Sequence, residues 1–269
     1  MRPFVTVKAV PLFLDNYGYV IFNAAHNTAV LVDPAEAAKC LDALPAGAEL
    51  CGSLTTHHHR DHSGGNLDLA AARPGLPIAG GSAEEGRIEG ATLFLGHGQS
   101  FEMGGMVFTA LHTPCHTKGH LCYYLPPEGE QAGFLFSGDT IFAGGCGRFF
   151  EGDARQMLSS FATVMALPPS TRLYAGHEYT LANLRFGQHV EPGNERIRAW
   201  AAACKALEEA GKPTLPSTLA TEAETNVFLR TREDSVRAFT HPGLTEEQRR
   251  ALTDVEVLAA LREAKNAFK

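Results

Sequence analysis

No two of the six cysteines, at positions 40, 51, 115, 122, 146 and 204, form a Cys-x-x-Cys pair or follow a disulfide framework. They read as reduced, mostly buried thiols of a reducing compartment. No apolar run approaches the roughly eighteen residues of a membrane span, so no membrane partner is expected. Basic residues are short, 23 Lys and Arg against 30 Asp and Glu, for a formal net charge of -7. They thicken only modestly after Arg185, which argues against a nucleic-acid surface and means that any anionic partner is met locally. The opening stretch "MRPFVTVKAVPLF" alternates like a strand. It lacks both the apolar core of a signal peptide and the serine/arginine bias of a transit peptide, so the expected location is the cytoplasm.

What is present is ordinary globular material: 269 residues, 44% hydrophobic and 20% charged, enough for one large core or two unequal ones. Short strand-like runs recur at "VTVKAV", "YVIF", "AVLVD", "LCGSLTT", "PIAGG", "MVFTALHT", "LCYYL", "GFLFSG" and "TRLYAG", with helical stretches between several of them. That pattern predicts a layered α/β domain. Asp33, Pro34 and Glu36 are spaced as N-cap, first helical residue and capping-box partner of a first helix, so Asp33 is expected to be structural. Beyond about residue 181 the strand signal fades. "NERIRAWAAACKALEEAG" places Ile197, Trp200, Ala201, Cys204 and Leu207 on one helical face, stopped by Gly211 and Pro213. Ser217 or Thr218 can cap another helix, Thr245 with Gln248 forms a capping box, and Val257, Leu258, Leu261 and Ala264 line a last helical face. The final ~90 residues are thus expected to form a small helical appendage, residues 181–269, on a body of residues 1–180.

The chemistry concentrates in "THHHRDH", residues 56–62. If residues 50–54 are a strand, alternation sends His57 and His59 out together and His58 elsewhere. His58 is therefore expected to be dispensable for metal content. Asp61 and His62 follow a bend eased by Ser63, Gly64 and Gly65. Neutral imidazole and carboxylate suit zinc, iron or manganese. Three further polar residues stand where an apolar strand runs out: His116 in "HTPCHTKGH", Asp139 in "FLFSGDT" and His177 in "LYAGHEYT". Rigid strands present ligands in this way. His112 and His120 are expected to support ligands by hydrogen bonds rather than to bind metal.

"THHHRDH" followed by His116, Asp139 and His177 resembles the ordered pattern of the metallo-β-lactamase superfamily. The resemblance implies an αββα sandwich with a two-metal site at one edge. It places His57, His59 and His116 on one metal, Asp61, His62 and His177 on the other, and Asp139 between them. "GGCGRFFEG", "GHEYT", "PSTLATEAETNVFLR" and "LREAKNAF" extend the likeness over essentially the whole chain to the glyoxalase II, or hydroxyacylglutathione hydrolase, family. That implies hydrolysis of the thioester S-D-lactoylglutathione to D-lactate and glutathione, the second step of methylglyoxal detoxification, by a hydroxide held between two divalent ions. Zinc is the expected metal, with iron or manganese open. Residues 1–180 become the metal-binding catalytic domain and 181–269 a helical substrate-binding domain, the whole acting as a monomer on a small-molecule glutathione thioester.

Arg148 and Tyr179 match substrate contacts of that family, and Arg262 and Lys265, three apart on a predicted helix, are placed to hold a glutathione carboxylate. Arg148 stands where many members have lysine, Phe150 where some have tyrosine, and Val227 where proline is frequent. The alternative within the superfamily is a mono-iron persulfide dioxygenase, which also handles glutathione derivatives.

Overall fold

The computed structural model describes residues 4–268. One six-stranded sheet runs in spatial order β1 (Val5–Leu12), β2 (Asn16–Asn23), β3 (Thr28–Val32), β4 (Glu49–Leu54), β5 (Ile78–Gly81) and β6 (Leu93–Leu95). The first two pairings are antiparallel and the remaining three parallel. The second sheet contains β7 (Ser100–Met103), β8 (Met106–His112), β9 (Leu121–Leu125), β10 (Phe134–Gly138), β13 (Arg172–Ala175) and β14 (Ser217–Thr218), in the order β14-β13-β10-β9-β8-β7. A small hairpin of β11 (Ile141–Phe142) and β12 (Gly145–Cys146) stands apart.

Burial follows the sequence pattern. The runs "LCYYL" and "FLFSG" are buried at every position, as strands covered on both faces must be, whereas β1 at a sheet edge alternates. Tyr19, Phe108, Tyr123 and Phe136 fill the space between the two sheets. Outside the first sheet, Leu31, Cys40 and Leu69 pack it against α1 (Ala37–Asp42) and α3 (Asn66–Ala72). Between these two helices lies the one-turn α2 (Arg60–Ser63). Outside the second sheet, α4 (Ala154–Met165) joins the C-terminal helices: α5 (Thr180–Val190), α6 (Glu195–Glu209), α7 (Leu219–Thr225), α8 (Asp234–Thr240), α9 (Glu246–Ala251) and α10 (Asp254–Ala267). The chain is thus an αββα sandwich with a C-terminal helical region.

All nine strand-like runs form strands. The five additional strands, β6, β7, β11, β12 and β14, are two to four residues long, too short to show a period. In the tail, Asn194 caps α6, Thr218 caps α7, and the Thr245–Gln248 capping box forms. The first helix is different. It starts at Ala37 without a side-chain cap, and Asp33 has a left-handed backbone, φ 46°, instead of the extended conformation of an N-cap. Its carboxylate is used elsewhere.

Val257, Leu258 and Leu261 of α10 are fully buried in the same core as Met157 and Phe161 of α4. At about 1.5–3 kcal/mol per buried side chain, that contact holds α10 against the sandwich. The tail also enters the sheet itself, since β14 pairs with β13.

Candidate metal centre

The loops that follow β4, β8, β10 and β13 gather at one edge of the sandwich. The connection after β4 carries His57 and His59, and α2 carries Asp61 and His62. His57 Nε2 lies 3.0 Å from His59 Nδ1, and His116 Nε2 lies 3.1 Å from that same nitrogen. His177 Nε2 is 3.4 Å from Asp61 Oδ2, and His62 Nε2 is 3.8 Å from it. Asp139 reaches both groups: Oδ2 is 3.2 Å from His116 and 3.5 Å from His177, while Oδ1 is 3.3 Å from His62. All seven side chains singled out in the sequence therefore meet, as do the three triads His57/His59/His116, His57/His62/Asp139 and Asp61/His62/His177.

Glycines make this approach possible. At Gly138, φ 46°, a Cβ would lie 2.5 Å from Thr56 Oγ1 and 2.7 Å from His120 Nε2; at Gly176 it would lie 2.6 Å from both Asp139 and His62.

Three of the rings are held from behind by different partners. His62 Nδ1 faces Asp33 Oδ2 at 2.9 Å, His116 Nδ1 donates to the Arg148 carbonyl at 3.0 Å, and His177 Nδ1 faces Asp15 Oδ1 at 3.1 Å. These acceptors put the ring proton on Nδ1 and leave Nε2 turned to the cluster. Asp33 also accepts from the Thr56 backbone N–H and hydroxyl, each at 2.8 Å, so the residue read as a helix cap instead orients a histidine of the cluster. Asn16 donates to Asp61 Oδ2 at 3.0 Å. His120, buried, accepts the Asp139 N–H at 3.0 Å through Nε2. The His112 ring meets the Lys118 carbonyl at 2.8 Å, and among the described residues it has no hydrogen bond to the cluster.

Asp15 and Asn16 carried no motif, Thr56 opens "THHHRDH" without having been given a role, and Asp33 was read only as a helix cap. The one available signal was at Asp33: β3 and β4 are parallel neighbours, so a carboxylate ending the first comes out beside histidines following the second.

Electrostatics favour a cation. Burial, with His62 and His120 alongside, holds His57 well below the ordinary histidine range, and burial beside His116 brings His59 down to about 4. Both rings are neutral and free to donate a lone pair. Burial opposes charge on His62 and on Asp139, yet Asp139 and Asp33 raise the histidine, while His62 and His177 keep the aspartate ionised. A cation seated among them would take the place of the His62 proton. Among the described residues, buried His62 Nε2 and Asp139 Oδ1 have no hydrogen-bond partner. Ring nitrogens and carboxylate oxygens converging in this way are the donor set of a divalent metal site.

The cluster floors a cleft of about 600 Å³ whose walls include Arg148, Phe150, Tyr179, Arg262 and Lys265. Tyr179 stacks on His177 at 4.6 Å, and burial with Asp15 nearby pushes its phenol up to about 12, so it keeps its proton as a donor. Lys265 Nζ donates to the Ala182 carbonyl at 3.0 Å, and burial with Arg262 nearby lowers it to about 8. Arg262 is buried, with Nη1 on the Cys146 carbonyl at 2.9 Å and Nε on Asn266. A larger hollow of about 850 Å³ beside Glu191 holds none of the cluster residues, and its Glu191 and Arg230 pair with each other at 2.7 Å.

The metallo-beta-lactamase superfamily matches residues 17–177, and the family described as hydroxyacylglutathione hydrolase C-terminus matches residues 178–268. A hydroxyacylglutathione hydrolase of Synechocystis sp. is 42% identical over 245 residues, covering 90% of this chain and 95% of its own. The chain belongs to the hydroxyacylglutathione hydrolase family. A second member, from Rippkaea orientalis, is 43% identical over 226 residues, 83% of this chain and 88% of its own. Among solved structures, BLEG-1 B3 metallo-beta-lactamase shares the fold, with TM-score 0.61 at 24% identity over 83% of this chain and 99% of that one. TTHA1623, solved in a di-iron-bound form, gives TM-score 0.55 at 26% identity over 82% of this chain and all of that one.

Proposed function

We propose that the chain hydrolyses the thioester S-D-lactoylglutathione, releasing D-lactate and glutathione. The observation that carries this reading is the cleft: one hollow has the His/Asp cluster as its floor and Arg148, Tyr179 and Lys265 on its walls. Family membership supplies the substrate class.

His57, His59 and His116 would hold one divalent ion, Asp61, His62 and His177 a second, with Asp139 reaching both. Zinc is the first choice, and iron or manganese suits the same donors. Such ions supply a water ionised at neutral pH and a Lewis acid for the thioester carbonyl. The chain's own residues do the rest. Neutral His57 and His59 offer lone pairs without releasing a proton, and the carboxylates of Asp15 and Asp33 fix the rings of His177 and His62. Lys265, with two N–H donors left after Ala182, and the exposed Arg148 provide positive charge for glutathione carboxylates. The Tyr179 hydroxyl adds a neutral donor. A thiolate leaves without prior protonation near neutral pH, so no general acid is needed in the cleft.

Residues 1–180 form the catalytic unit in this reading and 181–269 the substrate-binding unit, and the protein works as a cytoplasmic monomer. Among the described residues no helix is long and apolar enough to cross a membrane. Free-thiol release from S-D-lactoylglutathione, followed together with elemental analysis, tests the proposal. Two metals per chain with thiol release are expected. Absence of thiol release from fully loaded protein overturns it, and one iron with oxygen uptake would favour the persulfide dioxygenase.

A further inference from the structure

The β11–β12 hairpin joins Asp139 of the cluster to Arg148 of the cleft wall, and side chains of the C-terminal region grip its backbone. Asn183 of α5 donates to the Ala143 carbonyl at 3.1 Å, Glu222 of α7 accepts the Gly144 N–H at 2.8 Å, and Arg262 of α10 donates to the Cys146 carbonyl at 2.9 Å. Asn226 holds both strands of the hairpin at once. Its Nδ2 donates to the Gly145 carbonyl at 2.9 Å, to the Phe142 carbonyl at 3.3 Å and to Glu222 Oε2 at 3.0 Å. The orientation of the amide is fixed from the other side, because Oδ1 accepts the Phe228 N–H at 3.2 Å. Asn226 is wholly buried, where a primary amide is costly unless its donors and its acceptor are engaged. They are engaged behind the cleft wall, since Asn226 is not one of the residues that line the cleft.

What the hairpin carries does face the cleft. The Phe142 ring lies edge-on to His177 at 5.8 Å and to Tyr179 at 5.3 Å. Two residues beyond β12, the Arg148 side chain lines the cleft while the Arg148 carbonyl accepts from His116 at 3.0 Å. The packing here has no slack: a Cβ at Gly147 would collide with the Asp139 carbonyl oxygen, and one at Gly145 would lie 2.5 Å from Asn183 Nδ2. A displaced hairpin therefore displaces Phe142 and Arg148 with it, because close-packed interiors transmit such shifts.

We propose that Asn226 is a positioning residue for glutathione binding: through its side-chain amide the C-terminal region sets the hairpin that presents Phe142 and Arg148, and so shapes the cleft without touching the substrate. This rests on the glutathione-thioester reading above.

The test is the dissociation constant of glutathione on metal-loaded protein, measured by calorimetry beside the melting temperature. Asn226→Asp keeps the oxygen that meets Phe228 and offers at most one proton where the amide offered two. Glutathione should bind about tenfold more weakly to it, the scale of one lost buried hydrogen bond, and KM for S-D-lactoylglutathione should rise more than kcat falls. In an Arg148→Ala background the same substitution should weaken binding by less than about twofold, because two changes that act through one contact are not additive. A residue that only stabilises the fold would lower the melting temperature and leave the dissociation constant of the folded protein at its wild-type value. If Asn226→Asp does not fold, Glu222→Ala decides in its place, since it frees the Gly144 N–H and one Asn226 hydrogen. Glu222→Gln, which can still accept from both, should then bind like wild type. A wild-type dissociation constant in the folded Asn226→Asp or Glu222→Ala protein, or full additivity with Arg148→Ala, overturns the proposal. Wild-type protein that binds glutathione yet releases no thiol from the thioester would instead defeat the hydrolase reading alone.

Discussion

Asp139 and Lys265 separate two kinds of residue in the cleft. Asp139 touches both halves of the cluster, so Asp139→Ala should lower the content of both metals together, whereas loss of an outer ligand such as His59 should affect one more than the other; elemental analysis of the purified variants checks this. Lys265 is remote from the thioester in the proposed binding mode, and its contact is nearly equal in ground and transition states. Its loss should raise KM more than it lowers kcat. A charge-assisted bond contributes about 1.5–3 kcal/mol, so Lys265→Ala should raise KM about ten- to a hundredfold with metal content unchanged. Because Lys265 titrates at about 8, it is cationic below that pH and neutral above. KM for the anionic substrate should therefore climb as pH passes from 7 to 9, and Lys265→Arg should flatten the climb. A flat wild-type profile over that range would remove Lys265 from the binding set. Arg262 is not equivalent, since it already supports the Cys146 carbonyl, and Arg262→Ala should lower melting temperature as well as raise KM.

At the scale of elements, α7 braces the hairpin that follows Asp139. Glu222 Oε1 accepts from Ser217 at 2.5 Å, and Oε2 accepts from the Gly144 N–H at 2.8 Å and from Asn226 at 3.0 Å. Asn226 also donates to the Gly145 carbonyl at 2.9 Å. Burial raises Glu222 to about 7 against these bonds. The folded state consequently holds a proton that the unfolded state releases near 4.5. The associated stability is present below the ordinary carboxylate range and is lost as pH rises through about 7. A rise from 4.5 to about 7 corresponds to about 3 kcal/mol at most. Glu222→Gln can meet the same partners without ionising, so its melting temperature should fall less than that of wild type between pH 5 and 8. Parallel melting curves for the two proteins would refute this.

For the whole molecule, the tail shares a core with α4 and a strand pairing with β13. Calorimetry should accordingly show one cooperative transition, and two resolved transitions would mean that the C-terminal helices unfold separately. Ions held at the centre would bind the native chain alone, so their removal should lower the transition by about 10 °C, as a loss of about 4 kcal/mol would do in a chain of this size.

The types and order of the clustered side chains and the alternation of the strands were legible in the sequence because each depends on near neighbours. "THHHRDH" is seven residues long, and the strands that present His116, Asp139 and His177 announce themselves by continuous apolar runs. The helix caps at Thr218 and Thr245 were legible for the same reason, since a cap and its partner are three residues apart. The ring-orienting partners were not. Asp33 meets His62 from 29 positions away, Arg148 meets His116 from 32, and Asp15 meets His177 from 162. Such pairs leave no period or spacing in the chain. Local rules even misdirected the reading at Asp33, where Pro34 and Glu36 imitate a helix start while the left-handed backbone turns the carboxylate toward Thr56 and His62. The sequence by itself therefore determined which side chains gather in the cluster and on which strands they ride. Only the tertiary structure decided which nitrogen each ring offers, because a tautomer is set by the partner behind the ring, and that partner is supplied by the packing of distant segments.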